Sequence, residues 1–124
     1  MLGRFVILRH DTPPDSDRPL HWDLMLEDGA HLATWQMASQ PVDRAASPVE
    51  CTRIGDHRKR YLDYEGPVSG GRGVVSRVDQ GRFDLLAADD DAWILDFAGE
   101  HLTGRYRLAR TRGESPSVWI LLAR

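Results

Sequence analysis

At 124 residues and 14.0 kDa, with 41% hydrophobic residues, the chain has room for one domain around one core. Its single cysteine, Cys51, excludes an internal disulfide and cysteine-pair zinc sites, which fits a reducing cytoplasm. A net charge of −3 excludes a globally basic nucleic-acid binder, and no apolar run is long enough to span a bilayer. Met1-Leu2-Gly3-Arg4 has no signal-peptide organisation.

Residues 4–9 read as a first strand, and the run Phe5-Val6-Ile7-Leu8 suits a strand buried on both faces. His10 and Asp11 fall at its end. Residues 12–19 carry Pro13, Pro14 and Pro19 without an apolar anchor and form a loop. From His21 the chain alternates strictly. Trp22, Leu24 and Leu26 fall on one side, and His21, Asp23, Met25 and Glu27 on the other, the pattern of a half-buried strand. Asp28-Gly29 favours a type I′ turn, and residues 30–37 return as the second strand of a hairpin.

Residues 38–48 are polar and irregular, and 49–54 make a short strand. Asp56 is placed to cap a helical turn running through Tyr61-Leu62. Residues 66–73 are glycine-rich and form a loop. Strands are expected over 72–79 and 82–88 with a turn at Gln80-Gly81, then over 93–97, 101–110 and 118–122. Asp89-Asp90-Asp91 and Gly99-Glu100 supply turns, and 112–116 a loop. Short strands at regular spacing, with no long amphipathic helix, predict an all-β fold, a barrel or sandwich, in a single domain over residues 1–124.

His21 and Asp23 project from one strand face about 7 Å apart. Pairing of the first strand near the hairpin would bring His10 to them. Two imidazoles and a carboxylate suit Mn, Fe or Zn and leave coordination positions open for water or substrate. The alternative is three polar side chains facing water. On a helical turn His57 and Tyr61 stand four apart and share a face, from which they can hold a phosphate oxygen or relay a proton. The clusters Arg58-Lys59-Arg60 and Arg105, Arg107, Arg110 and Arg112 fit either a phosphate-binding face or solvated strand edges. Ser69-Gly70-Gly71-Arg72-Gly73 lacks Walker spacing and reads as a turn more readily than as a phosphate cradle.

Three segments, taken in order, carry a resemblance. They are Phe5-Val6-Ile7-Leu8-Arg9-His10-Asp11, His21-Trp22-Asp23-Leu24-Met25-Leu26-Glu27-Asp28-Gly29, and His57 followed by Tyr61-Leu62-Asp63-Tyr64-Glu65-Gly66. Thr34-Trp35, Leu102-Thr103-Gly104-Arg105-Tyr106 and Trp119-Ile120-Leu121-Leu122 extend it over nearly the whole chain. The chain resembles the 3′-phosphoesterase domain of bacterial DNA-repair ligase D, which also occurs free-standing. The resemblance implies a compact β barrel with the active site in a crescent groove. It implies a divalent metal, foremost Mn with Zn, Co or Fe as alternatives, held by His10, His21 and Asp23. His57 and Tyr61 would act on the scissile phosphate. The implied partners are DNA or RNA–DNA 3′ ends, trimmed of a terminal ribonucleoside and then of the 3′-phosphate, together with end-joining ligase or polymerase components.

Departures accompany the resemblance. The family arginine two residues after the metal-binding Asp is Met25 here, a family glutamine is Leu8, and a family lysine aligns loosely with Ser39. The loop between His10 and His21 is also longer. A thioether cannot clamp phosphate as a guanidinium does. Arg9, Arg18 and Arg58 are candidate replacements, with Arg9 expected to point away from His10. The alternatives to a 3′-end-trimming enzyme are a weakened or inactive relative that binds metal or nucleic acid, and a phosphoesterase with another substrate.

Overall fold

A computed structural model describes residues 1–40, 48–111 and 118–123. The strands are β1 (Leu2–Asp11), β2 (His21–Asp28), β3 (His31–Met37), β4 (Val49–Arg58), β5 (Gly66–Pro67), β6 (Val74–Ala88), β7 (Ala92–Gly99), β8 (Thr103–Arg110) and β9 (Trp119–Ala123). A 3-10 turn, Lys59–Leu62, follows β4, and the described residues contain no α-helix. Neighbours pair antiparallel in the order β1-β2-β3-β4-β9-β8-β7-β6, and β6 returns to β1, closing eight strands into a barrel. The two-residue β5 pairs on β6 beside the closure. The all-β barrel expected from strand spacing is the observed fold.

The barrel is filled by Phe5, Ile7, Leu24, Leu26, Trp35, Trp93, Phe97, Trp119 and their neighbours. Trp35 meets Trp93 and Trp119 edge-on, with ring centroids 5.1 and 5.5 Å away. A second apolar cluster lies on the other side of the sheet. Val6 and Leu8 of β1, Met25 of β2 and Leu32 of β3 are covered there by Leu62, Val68 and Val75. This cover explains the run Phe5-Val6-Ile7-Leu8: both faces of β1 are buried.

Several boundaries differ from the sequence reading. The face of β2 carrying His21, Asp23 and Met25 is not solvated, because the 3-10 turn and the chain around β5 lie over it. The hairpin turn is Gly29-Ala30, with Asp28 paired to His31. Only Gly29 has positive φ, 60°, so the pattern is that of type II′ rather than I′. β4 runs on to Arg58, so Asp56 is a strand residue and caps nothing; Arg58 precedes the 3-10 turn without a side-chain cap. Gln80-Gly81 is no turn but the middle of the fifteen-residue β6. Glycine is required at 81 because a Cβ there would lie 2.2 Å from the Ala98 carbonyl oxygen of β7. The irregular segment and loop expected over 38–48 and 112–116 fall mostly outside the described residues, as does Arg112.

Candidate active site

Register assembles the site. β1 and β2 pair His10 with His21, Leu8 with Asp23 and Val6 with Met25. Cross-strand partners share a face, so the polar triad and the apolar pairs form one continuous strip on the outside of the barrel. β3 adds Gln36, opposite Asp23. On β4 the pairing shifts between Leu32 and Thr34, so that Ile54 and His57 oppose Thr34 and Leu32. The extra β4 residue turns both side chains to the site face despite their odd spacing. Tyr61 arrives from the 3-10 turn, its ring 5.8 Å from that of His57 and nearly perpendicular to it.

The strip opens into a cavity of about 380 Å³ whose walls include His10, His21, Asp23, His57 and Tyr61. All five residues expected from the sequence to form the site therefore meet in one place. His57 and Tyr61 meet there across a strand and a turn, rather than as i and i+4 of one helix.

One ligand atom from each of His10, His21 and Asp23 lies within 4.8 Å of the others, so the trio forms a cluster able to hold a metal ion. His21 and Asp23 are each 3% exposed, while His10 is half-buried. The histidines are locked by main-chain carbonyls. His10 Nε2–H donates to Arg72 O at 2.7 Å, and His21 Nδ1–H to Pro19 O at 3.0 Å. His57 Nδ1–H donates to Gly55 O at 3.0 Å. A carbonyl only accepts, so each bond fixes the tautomer and leaves the second ring nitrogen with a lone pair. Holding the ring by its far nitrogen is how metal-binding imidazoles are oriented.

The carboxylate tests the fit. Asp23 Oδ2 lies 3.6 Å from His21 Nε2, while Oδ1 is buried with no hydrogen-bond partner. Its neighbours on the strip, Leu8 and Met25, are apolar. An unsatisfied buried oxygen costs about 1–3 kcal/mol, more when charged, and a cation between the three side chains would relieve it. Asp23 raises the His21 pKa above its ordinary value against the opposing effect of burial. A proton and a divalent ion thus compete for one lone pair, and the donor set fits such an ion.

The family model for the DNA ligase D 3′-phosphoesterase domain matches residues 10–110. The chain belongs to this family. It is 30% identical over 138 aligned positions to the multifunctional non-homologous end joining protein LigD of Pseudomonas aeruginosa. That alignment takes in 98% of this chain and 15% of the LigD protein. The LigD proteins of Mycobacterium bovis and Mycobacterium tuberculosis are 29% identical over 117 positions, with 89% of this chain and 15% of theirs aligned. The chain thus spans about 15% of the length of the curated LigD relatives it matches.

For a member of the DNA ligase D 3′-phosphoesterase family, the positions that matter most are 25 and 8, where the resemblance implies an arginine and a glutamine. Met25, 1% exposed, lines the cavity while its side chain packs in the outer apolar cluster with Leu8. The two departures are therefore neighbours in space, and the wall beside Asp23 is oily. Cations come from elsewhere. Arg18, from the loop between β1 and β2, lines the cavity and donates to Gln36 Oε1 at 3.2 Å. Arg72 also lines it, with Nε donating to Ser69 O at 2.7 Å. Arg9 points away, as expected, and pairs with Asp11 at 3.1 Å. Sequence reasoning missed Arg72, Gln36 and Ile54. Arg72 had a signal, an arginine set between Gly71 and Gly73, both at positive φ, but the glycines read as a turn.

Proposed function

We propose that the chain is a metal-dependent phosphoesterase that trims nucleic-acid 3′ ends in end-joining repair, working in the cytoplasm beside a ligase or polymerase. Membership of the DNA ligase D 3′-phosphoesterase domain family supports the reaction class, a hydrolase. The observation that carries the reading is the convergence of His10, His21 and Asp23, with its unsatisfied oxygen, in the cavity that also holds His57 and Tyr61. His10, His21 and Asp23 would hold the ion, with Mn the leading candidate and Zn, Co or Fe as alternatives. Such an ion supplies Lewis acidity and an activated water.

The chain's own residues do the rest. His57, its Nδ1–H fixed on Gly55, turns the Nε2 lone pair to the reacting phosphate and takes the proton lost by the attacking water, while solvent protonates the leaving oxygen. Tyr61 sets the phosphate against His57 through its hydroxyl. Arg18 replaces the absent guanidinium at position 25 and binds the phosphate oxygens bidentately. The apolar wall of Met25, Ile54 and Val75 excludes water from one side.

The burial of Met25 beside Leu8 favours a second reading, a relative that binds ends without cutting them, since loss of a charged phosphate contact costs 10²-fold or more in rate. One experiment decides. The protein is incubated with Mn²⁺ and a primer–template ending in one ribonucleotide, alongside His21→Ala and Arg18→Ala. We expect ribonucleoside and then phosphate removal by the natural chain, none by His21→Ala, and a loss of about tenfold to 10²-fold for Arg18→Ala. Metal binding without trimming by the natural chain would establish the second reading.

A further inference from the structure

The cavity does not end at His57. A second cavity of about 450 Å³ adjoins it, and the two share His57, Tyr61, Val68 and Arg72 as walls, so they form one groove. The second cavity is basic. Arg58, Arg60 and Arg72 line it, and Asp56 is its acidic residue. None of the three arginines has a carboxylate ion pair among the described residues. Of the described arginines outside the two cavities, Arg4, Arg9, Arg77, Arg105 and Arg110 are paired with Asp63, Asp11, Glu65, Asp96 and Asp91, whereas Arg53, Arg82 and Arg107 have no such pair. Lys59, between Arg58 and Arg60, is also neutralised, by Glu27 at 3.1 Å.

Two of the three open arginines are held. Arg72 is anchored on Ser69 through its carbonyl and its hydroxyl, at 2.7 and 3.2 Å. The Arg60 guanidinium lies 4.7 Å over the Tyr64 ring and 5.7 Å from that of Tyr61. Stacking fixes the guanidinium plane while its N–H edge stays available to an anion. A protein of net charge −3 has thus placed three unneutralised cations, two of them oriented, in a groove that leads to the cluster of His10, His21 and Asp23.

We propose that this second cavity is a phosphate subsite for a nucleic-acid strand. Arg58, Arg60 and Arg72 hold the backbone phosphate next to the one that sits at His10, His21 and Asp23. The inference rests on the function proposed above, in that the strand end lies at the cluster. It makes the preferred ligand a polynucleotide, because a mononucleotide has one phosphate and fills only the first cavity. Tyr61 and Tyr64, between the arginines, give the strand an aromatic wall of the kind single-strand grooves use.

The test reads binding and not hydrolysis. In EDTA, the full chain is titrated with a fluorescent single-stranded DNA 10-mer carrying a 3′-phosphate, and separately with a 3′-phosphorylated mononucleoside. Arg58→Ala/Arg60→Ala should weaken 10-mer binding at least tenfold. The slope of log K against log salt should shrink by about 1.4 for two lost single-strand contacts. Mononucleoside affinity should stay within twofold. Arg82→Ala/Arg107→Ala, on β6 and β8, should leave both unchanged.

Circular dichroism checks folding, and Arg58→Gln/Arg60→Gln, which keeps most of each stem, repeats the test if the alanine pair is unstable. The proposal is overturned if the natural chain binds the 10-mer no more tightly than the mononucleoside. It also falls if the double variant binds the 10-mer within twofold of the natural chain, or if the control pair loses as much. A protein that binds through Arg58 and Arg60 yet never hydrolyses would overturn the proposed function alone. An active protein indifferent to both residues would overturn this subsite alone.

Discussion

Met25 lines the cavity with its outer edge and packs its body against Val6, Leu8 and Leu32. An arginine there must draw its stem through that cluster and find an anion or water at the far end. We expect Met25→Arg to lower stability by about 2–4 kcal/mol and Met25→Leu to change it by less than about 1.5 kcal/mol, both read by urea denaturation. Introducing Leu8→Gln with Met25→Arg should recover part of the loss.

Glu27 shows the same principle from the other side, a carboxylate whose partners are present. Its Oε1 accepts the Arg4 N–H at 2.9 Å, and Lys59 Nζ lies 3.1 Å from Oε2. The Arg4 N–H and then Lys59 hold its pKa below the ordinary carboxylate value. A folded-state pKa lowered in this way adds stability above the ordinary range, and that stability is lost as pH falls through it toward the lowered value. Glu27→Gln should therefore melt below the natural chain at pH 7, and the gap should close by pH 3 in thermal scans.

Among the elements, the segment from β5 into β6 does the most with the least sequence. Gly73 sits at φ 101°, and a Cβ there would stand 2.1 Å from the Asp11 carbonyl oxygen. That close approach lays the segment against the end of β1 and sets the Arg72 carbonyl on His10. Gly73→Ala should cost about 1–3 kcal/mol in backbone strain, with more from the clash. It should also weaken Mn²⁺ binding, read by calorimetry, because His10 loses its anchor. Nothing in the glycine-rich composition announced this contact, since close approach to a distant strand is a tertiary fact.

The local patterns were legible. The alternation from His21 to Glu27 put His21, Asp23 and Met25 on one face, and the four-residue apolar run marked β1 as doubly buried. What alternation cannot reveal is what covers a face. The outward side of β2 looked solvated because its cover, the 3-10 turn and β5, comes forty residues later. His57 and Tyr61 meet, but not through helical geometry. Helical spacing suggested the contact, whereas a shift in the β3–β4 register and a turn produce it.

For the whole molecule, closure of β1 on β6 makes the barrel continuous, so an ion at the β1–β2 end should be felt by the entire fold. Anything that binds only the folded state stabilises it by mass action, about 2.7 kcal/mol at one hundred times its dissociation constant. Mn²⁺ should therefore raise the melting temperature in a concentration-dependent way, EDTA should reverse the shift, and His21→Ala should show none.

The sheet also separates two cores by a single layer. Leu24 belongs to the inner one and Met25, its chain neighbour, to the outer one, whereas Leu8 and Met25 are far apart in sequence and pack together. Double-mutant cycles should invert the order of the chain. The coupling energy of Leu24 with Met25 should stay within about 0.5 kcal/mol of zero, and that of Leu8 with Met25 should exceed it. The outer strip can then drift, exchanging polar residues for apolar ones, while the inner core keeps the barrel folded. A family with this architecture can change or lose its chemistry without losing its fold.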